Sequence, residues 1–177
     1  FQPIYVIPPV TISDNNRGTK PFRTSSIRKT CLPKPMNTKV LLAAIVGGVV
    51  AFLLGWLLFG ILLADFMDKN MIHYEGLMKG EGEMNLALMF VSNLCVAFLL
   101  AWLGNRTGVD TPVAGLKLAA VVGFFFYLSV DLSFMSMMNL FTSPVGLVVD
   151  VVSNTVWASG IGAAVGFMLG RGKQSAS

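Results

Sequence analysis

VLLAAIVGGVVAFLLGWLLFGILLA, residues 40–64, runs for 25 residues without a charge. At 1.5 Å per residue a helix of that length reaches roughly 37 Å, more than the roughly 30 Å hydrocarbon core of a bilayer. The stretch reads as a membrane span, so the rest of the chain is read against lipid. Composition agrees: 54% of the residues are hydrophobic and 12% charged, with a mean hydropathy of +0.70, against about 45–50% and about 25% in soluble domains. A soluble enzyme is excluded as the default class. No Walker loop, GxSxG, HExxH or dinucleotide fingerprint occurs, so no enzyme class is indicated and no cofactor is expected.

Three more apolar stretches follow. Residues 84–103 carry no charge, although Asn85, Ser92 and Asn93 interrupt them. Residues 113–135 open after Thr111-Pro112, a turn residue and a helix-starting proline, and carry Lys117 near one end and Asp131 near the other. Residues 118–130 between these charges are too few to cross, so both belong toward the interfaces, where a lysine can snorkel. Residues 145–169 follow Ser143-Pro144, carry Asp150 near their start, and stop at Gly170-Arg171-Gly172-Lys173. Four apolar helices with short connections predict an all-α membrane protein, an antiparallel four-transmembrane-helix bundle within residues 36–173, with 174–177 as a tail.

Residues 1–35 have a different character. They hold six Lys or Arg against Asp14 alone, a charge of +5, whereas residues 36–177 carry −1. The positive charges are scattered among Pro, Thr, Ser and Asn with no helical period, which predicts a disordered leader and no nucleic-acid partner. Met36-Asn37-Thr38-Lys39 before an apolar run has the form of a natural protein start, so the leader is a candidate for translated upstream sequence. It is not a secretory signal, because the apolar run after Lys39 is too long and lacks a cleavage site. Cys31 in the leader and Cys95 in a span show neither CxxC nor metal-ligand spacing and read as unpaired.

Orientation follows from the basic residues. Eleven Lys or Arg fall on the N-terminal segment, residues 104–117 and the tail after 170; two fall in 65–83 and none in 136–144. Both termini are therefore expected on the cytoplasmic side of the cell membrane. The 65–83 loop lies outside, with Asp65, Asp68, Glu75, Glu81 and Glu83 against Lys69 and Lys79, and its start extends the first helix through Asp68. His73 is the single histidine. Zinc needs three or four ligands, and no second histidine or cysteine lies on that side, so no metal site is expected.

The last span carries the clearest pattern: Asp150, Asn154, Ala158, Gly162, Gly166 and Gly170 succeed one another at intervals of four. They form one ridge, polar and then small, ending in a doubled GxxxG. The first span answers with Gly47, Ala51 and Gly55. Close helix contact is expected, within one chain or between copies, which leaves a homo-oligomer through these ridges open beside the bilayer as partner.

Asp131 and Asp150 each lie about one turn inside the outer end of a helix, so they can face each other at similar depth. Two close carboxylates share a proton, the arrangement on which proton-coupled and cation-binding sites are built. Tyr127 lies four residues deeper than Asp131, Asn154 one turn deeper than Asp150, and Asn93 in the second span completes a candidate polar patch. The competing reading is interfacial: a span starting at Val151 still has 19 residues and leaves Asp150 among headgroups. Asn93 then serves as a helix-to-helix hydrogen bond of about 0.6 kcal/mol. Two functions follow: a structural or interaction component of the membrane, or a minimal oligomeric transporter or channel for protons or small cations.

Met36-Asn37-Thr38-Lys39-Val40, Gly55-Trp56-Leu57-Leu58-Phe59-Gly60 and the Gly/Ala-rich final helix resemble small uncharacterised four-helix inner-membrane proteins of bacteria, a domain of unknown function. The resemblance covers residues 36–173 and implies a fold and a location, with no activity and no catalytic residues to carry over.

Overall fold

The computed structural model describes residues 38–77 and 79–171; the leader with Cys31 and the tail 174–177 lie outside them. Among the described residues the chain forms five α-helices: α1 (Thr38–Leu57), α2 (Ala64–Asn70), α3 (Leu86–Thr107), α4 (Pro112–Met137) and α5 (Pro144–Gly170). A π turn over Leu58–Leu62 prolongs α1, so the first span is Thr38–Leu62. With α3, α4 and α5 it makes four helices long and apolar enough to cross a membrane. This is the predicted all-helical four-span architecture.

Local chemistry sets the helix ends. Asn85 opens α3 by accepting a hydrogen bond from Leu88 N–H at 3.0 Å, and Thr111 opens α4 by accepting from Ala114 N–H at 3.2 Å, with Pro112 just inside. Gly108 closes α3 at φ 78°, a left-handed conformation that suits glycine, while Val109 N–H donates to the Gly104 carbonyl at 2.8 Å. The second span therefore runs on to Thr107 instead of ending at 103, because the polar residues Asn105 to Thr107 still complete its last turn. The expected extension of the first span through Asp68 exists as α2, restarted at Ala64 after Leu63.

α5 lies at the centre, packed against α1, α3 and α4; α1 also packs on α3, and α3 barely touches α4. α1 turns a face of Val40, Ala43, Ala44, Gly47, Gly48 and Ala51 inward. Gly47 lies beneath Ala97 and Gly48 beneath Leu94, and the Phe52 and Phe90 rings meet edge-on at 5.8 Å. Small residues are inside, while Leu53, Trp56, Val121, Phe125 and Phe126 stand exposed. In water that pattern would be upside down. In lipid it is expected, because large apolar side chains are solvated by acyl chains and association depends on close backbone approach.

The face carrying the two longer connections is stapled together. Met71 and Phe141 form an antiparallel bridge, Ile72 N–H donates to Leu140 O and Thr142 N–H to Asn70 O, each at 2.9 Å, and the Tyr74 hydroxyl donates to Asn139 O at 2.6 Å. This loop face opposes the face that holds the start of α1 and the end of α5.

Candidate functional site

The ridge on α5 meets α4. A Cβ placed on Gly162 would collide with the Ala119 Cβ and the Gly115 carbonyl oxygen, and one on Gly166 with the Thr111 carbonyl oxygen. One on Gly123 would lie 2.7 Å from the Ala158 Cβ, and Gly170 lies against the Asp110 carbonyl. Each step of four forward along α4, from Gly115 to Ala119 to Gly123, matches a step of four backward along α5. The same register carries on to Tyr127 opposite Asn154 and Asp131 opposite Asp150.

This corrects the pairing of ridges. Gly47, Ala51 and Gly55 of α1 take side chains from the adjacent face of α5: Gly47 receives Val165 and Ile161, and Gly55 receives Trp157. The Trp157 indole N–H donates to the Ala51 carbonyl at 2.8 Å. Physically the difference is one of reach. A glycine ridge allows backbone-to-backbone contact only with another small ridge, which α4 supplies, whereas isolated small positions on α1 form sockets for larger side chains. Gly115, Ala119 and Gly123 carry the same interval of four in the sequence.

At the loop-face end the seam turns acidic. Asp131 is buried at 4% exposure, Asp150 is half-buried, and the α4–α5 register sets them opposite each other, close enough to interact electrostatically. That interaction is repulsive unless one carboxyl carries a proton. Asp150 also accepts from Asn154 Nδ2 at 2.9 Å, and the same amide donates to the Asp150 backbone carbonyl at 3.0 Å. Asp131 Oδ2 has no hydrogen-bond partner. No Lys or Arg forms an ion pair with either carboxyl among the described residues.

Depth can be worked from the helices. α4 has 26 residues and α5 27, about 40 Å each, and Asp131 and Asp150 both lie six residues from the loop-face end. Centred on a hydrocarbon core of roughly 30 Å, both carboxyls fall about 4 Å inside its boundary. Tyr127 and Asn154 lie one turn deeper.

Asn93, Tyr127 and Asn154 come together in a cavity of about 430 Å³ whose walls also include Phe52, Trp56, Phe59 and Trp157. Asp131 and Asp150 do not line it; Asn154 joins the two regions, being in the wall and bonded to Asp150. Asn93 Nδ2 donates to Met89 O at 2.7 Å, a bond within its own helix. Tyr127 meets Trp157 edge-on at 6.3 Å. Phe52, Trp56 and Phe59 share a helical spacing on the first span, but Tyr127 and Trp157 come from other helices and join them only in the fold. Ser153, Thr155 and Ser159 donate to carbonyls one turn back in α5, leaving no hydroxyl hydrogen for chemistry.

His73 is exposed, with Nε2 at 2.9 Å from the Asp68 carbonyl and 3.2 Å from its carboxylate. Among the described residues no group of three His, Cys, Asp or Glu side chains gathers into a metal cluster.

Residues 42–166 match the family described as protein of unknown function (DUF1761), and the chain belongs to that family. No curated protein and no solved structure matches it. With its four apolar spans, it is a small integral membrane protein.

Proposed function

We propose that this DUF1761 member is a multi-pass protein of the cell membrane that moves protons or small cations, with the Asp131–Asp150 pair as the site at which they bind. One observation carries the reading. Asp131 is enclosed within the span of α4, holds an unpartnered carboxyl oxygen, and has a second carboxyl as its neighbour in place of a cation. A charged side chain costs about 2.5–3.5 kcal/mol at the bilayer centre even on the lenient scale and less toward the boundary, and ionisable groups enclosed within spans mark ion or proton paths. The pair lies toward the loop face. Both chain ends belong to the cytoplasmic side on the basic-residue asymmetry, so the pair faces the exterior half of the bilayer.

Four helices alone enclose little pathway, and the reading calls for an oligomer. Gly162 and Gly166 are covered by α4, so a second copy would use the exposed faces of α3 and α4. The alternative, a structural or interaction component, has the small-residue seam in its favour. It accounts for the glycines and leaves Asp131 unexplained, since a packing element gains nothing from an unpaired buried oxygen.

Reconstitution tests the reading. Proteoliposomes with a trapped pH dye should show flux driven by an imposed gradient, for protons directly or for a cation by counterflow. Asp131→Asn and Asp150→Asn should each reduce it at least tenfold with the fold retained. Equal flux in wild type and both variants refutes the proposal.

A further inference from the structure

We propose that the open cavity lined by α1, α3, α4 and α5 binds a lipophilic organic cation, an aromatic or alkyl ammonium, whose charge is balanced by the carboxyl pair through Asn154. This rests on the reading of Asp131 and Asp150 as an ion-binding pair and names the ligand class that their position selects.

Size comes first. A cavity of about 430 Å³ falls within the range of roughly 300–1,000 Å³ typical of small-molecule sites. Its walls are the second argument. Phe52, Trp56, Phe59, Tyr127 and Trp157 supply aromatic rings from α1, α4 and α5, and no Lys or Arg lines it. Ring faces attract cations by about 0.5–2 kcal/mol each, most strongly where water is absent and for tryptophan.

The polar groups supply the third. Asn154 uses its amide N–H groups on the Asp150 carbonyl and carboxylate, and Asn93 donates to Met89 O. With both Asn154 amide hydrogens committed to Asp150, that side chain offers an oxygen as its free polar atom, and Asn93 and Tyr127 are the other polar residues of the wall. A wall rich in aromatic rings with no cationic side chain makes a poor pocket for an anion. An acyl chain would fit the apolar part but would leave these polar groups unmatched. Asn154, in the wall, donates to the Asp150 carboxyl at 2.9 Å, so a positive ligand beside it and a proton on the pair would compete for the same negative charge.

The π turn at Leu58–Leu62 contributes geometry. It brings Phe59 and Gly60 into the cavity wall at the end of α1, and π turns within α-helices recur at functional positions.

The test uses benzyltrimethylammonium and its uncharged carbon isostere, neopentylbenzene, on the full chain in a nonionic detergent. Binding is read by the fluorescence of Trp56 and Trp157, which line the cavity. The cation should bind saturably and at least tenfold tighter than the isostere. Asp150→Asn should weaken the cation at least tenfold and leave the isostere unchanged. Trp56→Leu, at a side chain 64% exposed and so tolerant of change, should weaken the cation several-fold with the fold intact. Equal affinity for the two isosteres, or cation binding indifferent to both substitutions, overturns the proposal and makes the cavity a groove for lipid tails.

Infrared difference spectra separate this failure from failure of the ion-binding reading. A protonated-carboxyl band lost in Asp131→Asn, together with equal isostere binding, removes only the organic cation. Absence of that band, together with selective Asp150-dependent cation binding, removes the shared proton and leaves the cavity assignment standing.

Discussion

Replacing Gly115 by alanine is a severe test of the α4–α5 seam. The added Cβ would lie 3.0 Å from the Gly162 carbonyl carbon and 3.0 Å from the Gly166 Cα, and would collide with the Gly162 carbonyl oxygen. Every one of these atoms is backbone, so none can swing away. In a helix interior alanine gains about 1 kcal/mol over glycine from propensity. Overpacking costs about 1–3 kcal/mol where side chains can adjust, and a rigid backbone wall puts this case at the upper end. The net expectation is about 2 kcal/mol of destabilisation, a change of roughly 30-fold in the folded-to-unfolded ratio. Two controls fix the ranking. Gly160→Ala meets the Leu54 Cδ1 at 2.5 Å, the tip of a flexible side chain, and should cost less than about 1 kcal/mol. Gly80→Ala has nothing within 4 Å and should stay within about 0.5 kcal/mol of wild type. Unfolding in mixed micelles by increasing SDS fraction, followed by tryptophan fluorescence, measures all three. A Gly115→Ala protein as stable as wild type, or one less affected than Gly160→Ala, refutes the backbone contact.

Asp131→Asn should make the protein more stable while it removes transport, by about 1–2 kcal/mol in the same assay, because an amide can donate to Asp150 without the charge that lipid penalises; destabilisation would mean the carboxyl serves as a structural tie. Trp157→Phe deletes the 2.8 Å indole bond to the Ala51 carbonyl and should cost about 0.6–1.7 kcal/mol, the range for hydrogen bonds between membrane helices, with no loss showing that the bond does not hold α5 to α1. Reporters active only in the cytoplasm should light up at both termini, whereas a reporter inserted at Gly80 should stay dark; the reverse pattern would put the carboxyl pair in the inner half of the bilayer.

The four spans were readable because uncharged length is a one-dimensional signal, and lipid imposes it on each helix separately. The turn-and-proline signal at Thr111-Pro112 is equally local and places the start of α4; Asn85, read as an interruption of a span, is instead the cap that opens α3. Tertiary partners are another matter. The ridge from Asp150 to Gly170 announces that something small must lie against it, but a ridge does not name its mate. Gly47, Ala51 and Gly55 satisfied the same spacing as Gly115, Ala119 and Gly123, and only the fold distinguishes a socket for Trp157 from a seam. The similar depth of Asp131 and Asp150 followed from counting along two helices; their facing each other needed the rotation of each, which counting does not supply.

The axial register is favoured by the gradient of side-chain size along the seam. Gly115 and Ala119 lie against Gly166 and Gly162, and Gly123 against Ala158, before Tyr127 and Asn154 enlarge the contact. Slipping α5 by one turn in one direction would bring Asn154 to Gly123, where even the Ala158 Cβ leaves only 2.7 Å for an added carbon. Slipping it the other way would set the Tyr127 ring against Ala158 and leave Asp131 facing Asn154. The observed register keeps small against small from Gly115 to Gly123 and sets Tyr127 against Asn154, and it brings two carboxyls together as a consequence. They have no reason to approach by themselves, since like charges repel unless a proton or cation lies between them. The seam therefore holds in place an arrangement that its own electrostatics oppose, and binding of a positive charge relieves that opposition. On the proposed reading the glycines and the aspartates form one device: backbone packing would supply the constraint, and the constraint the affinity.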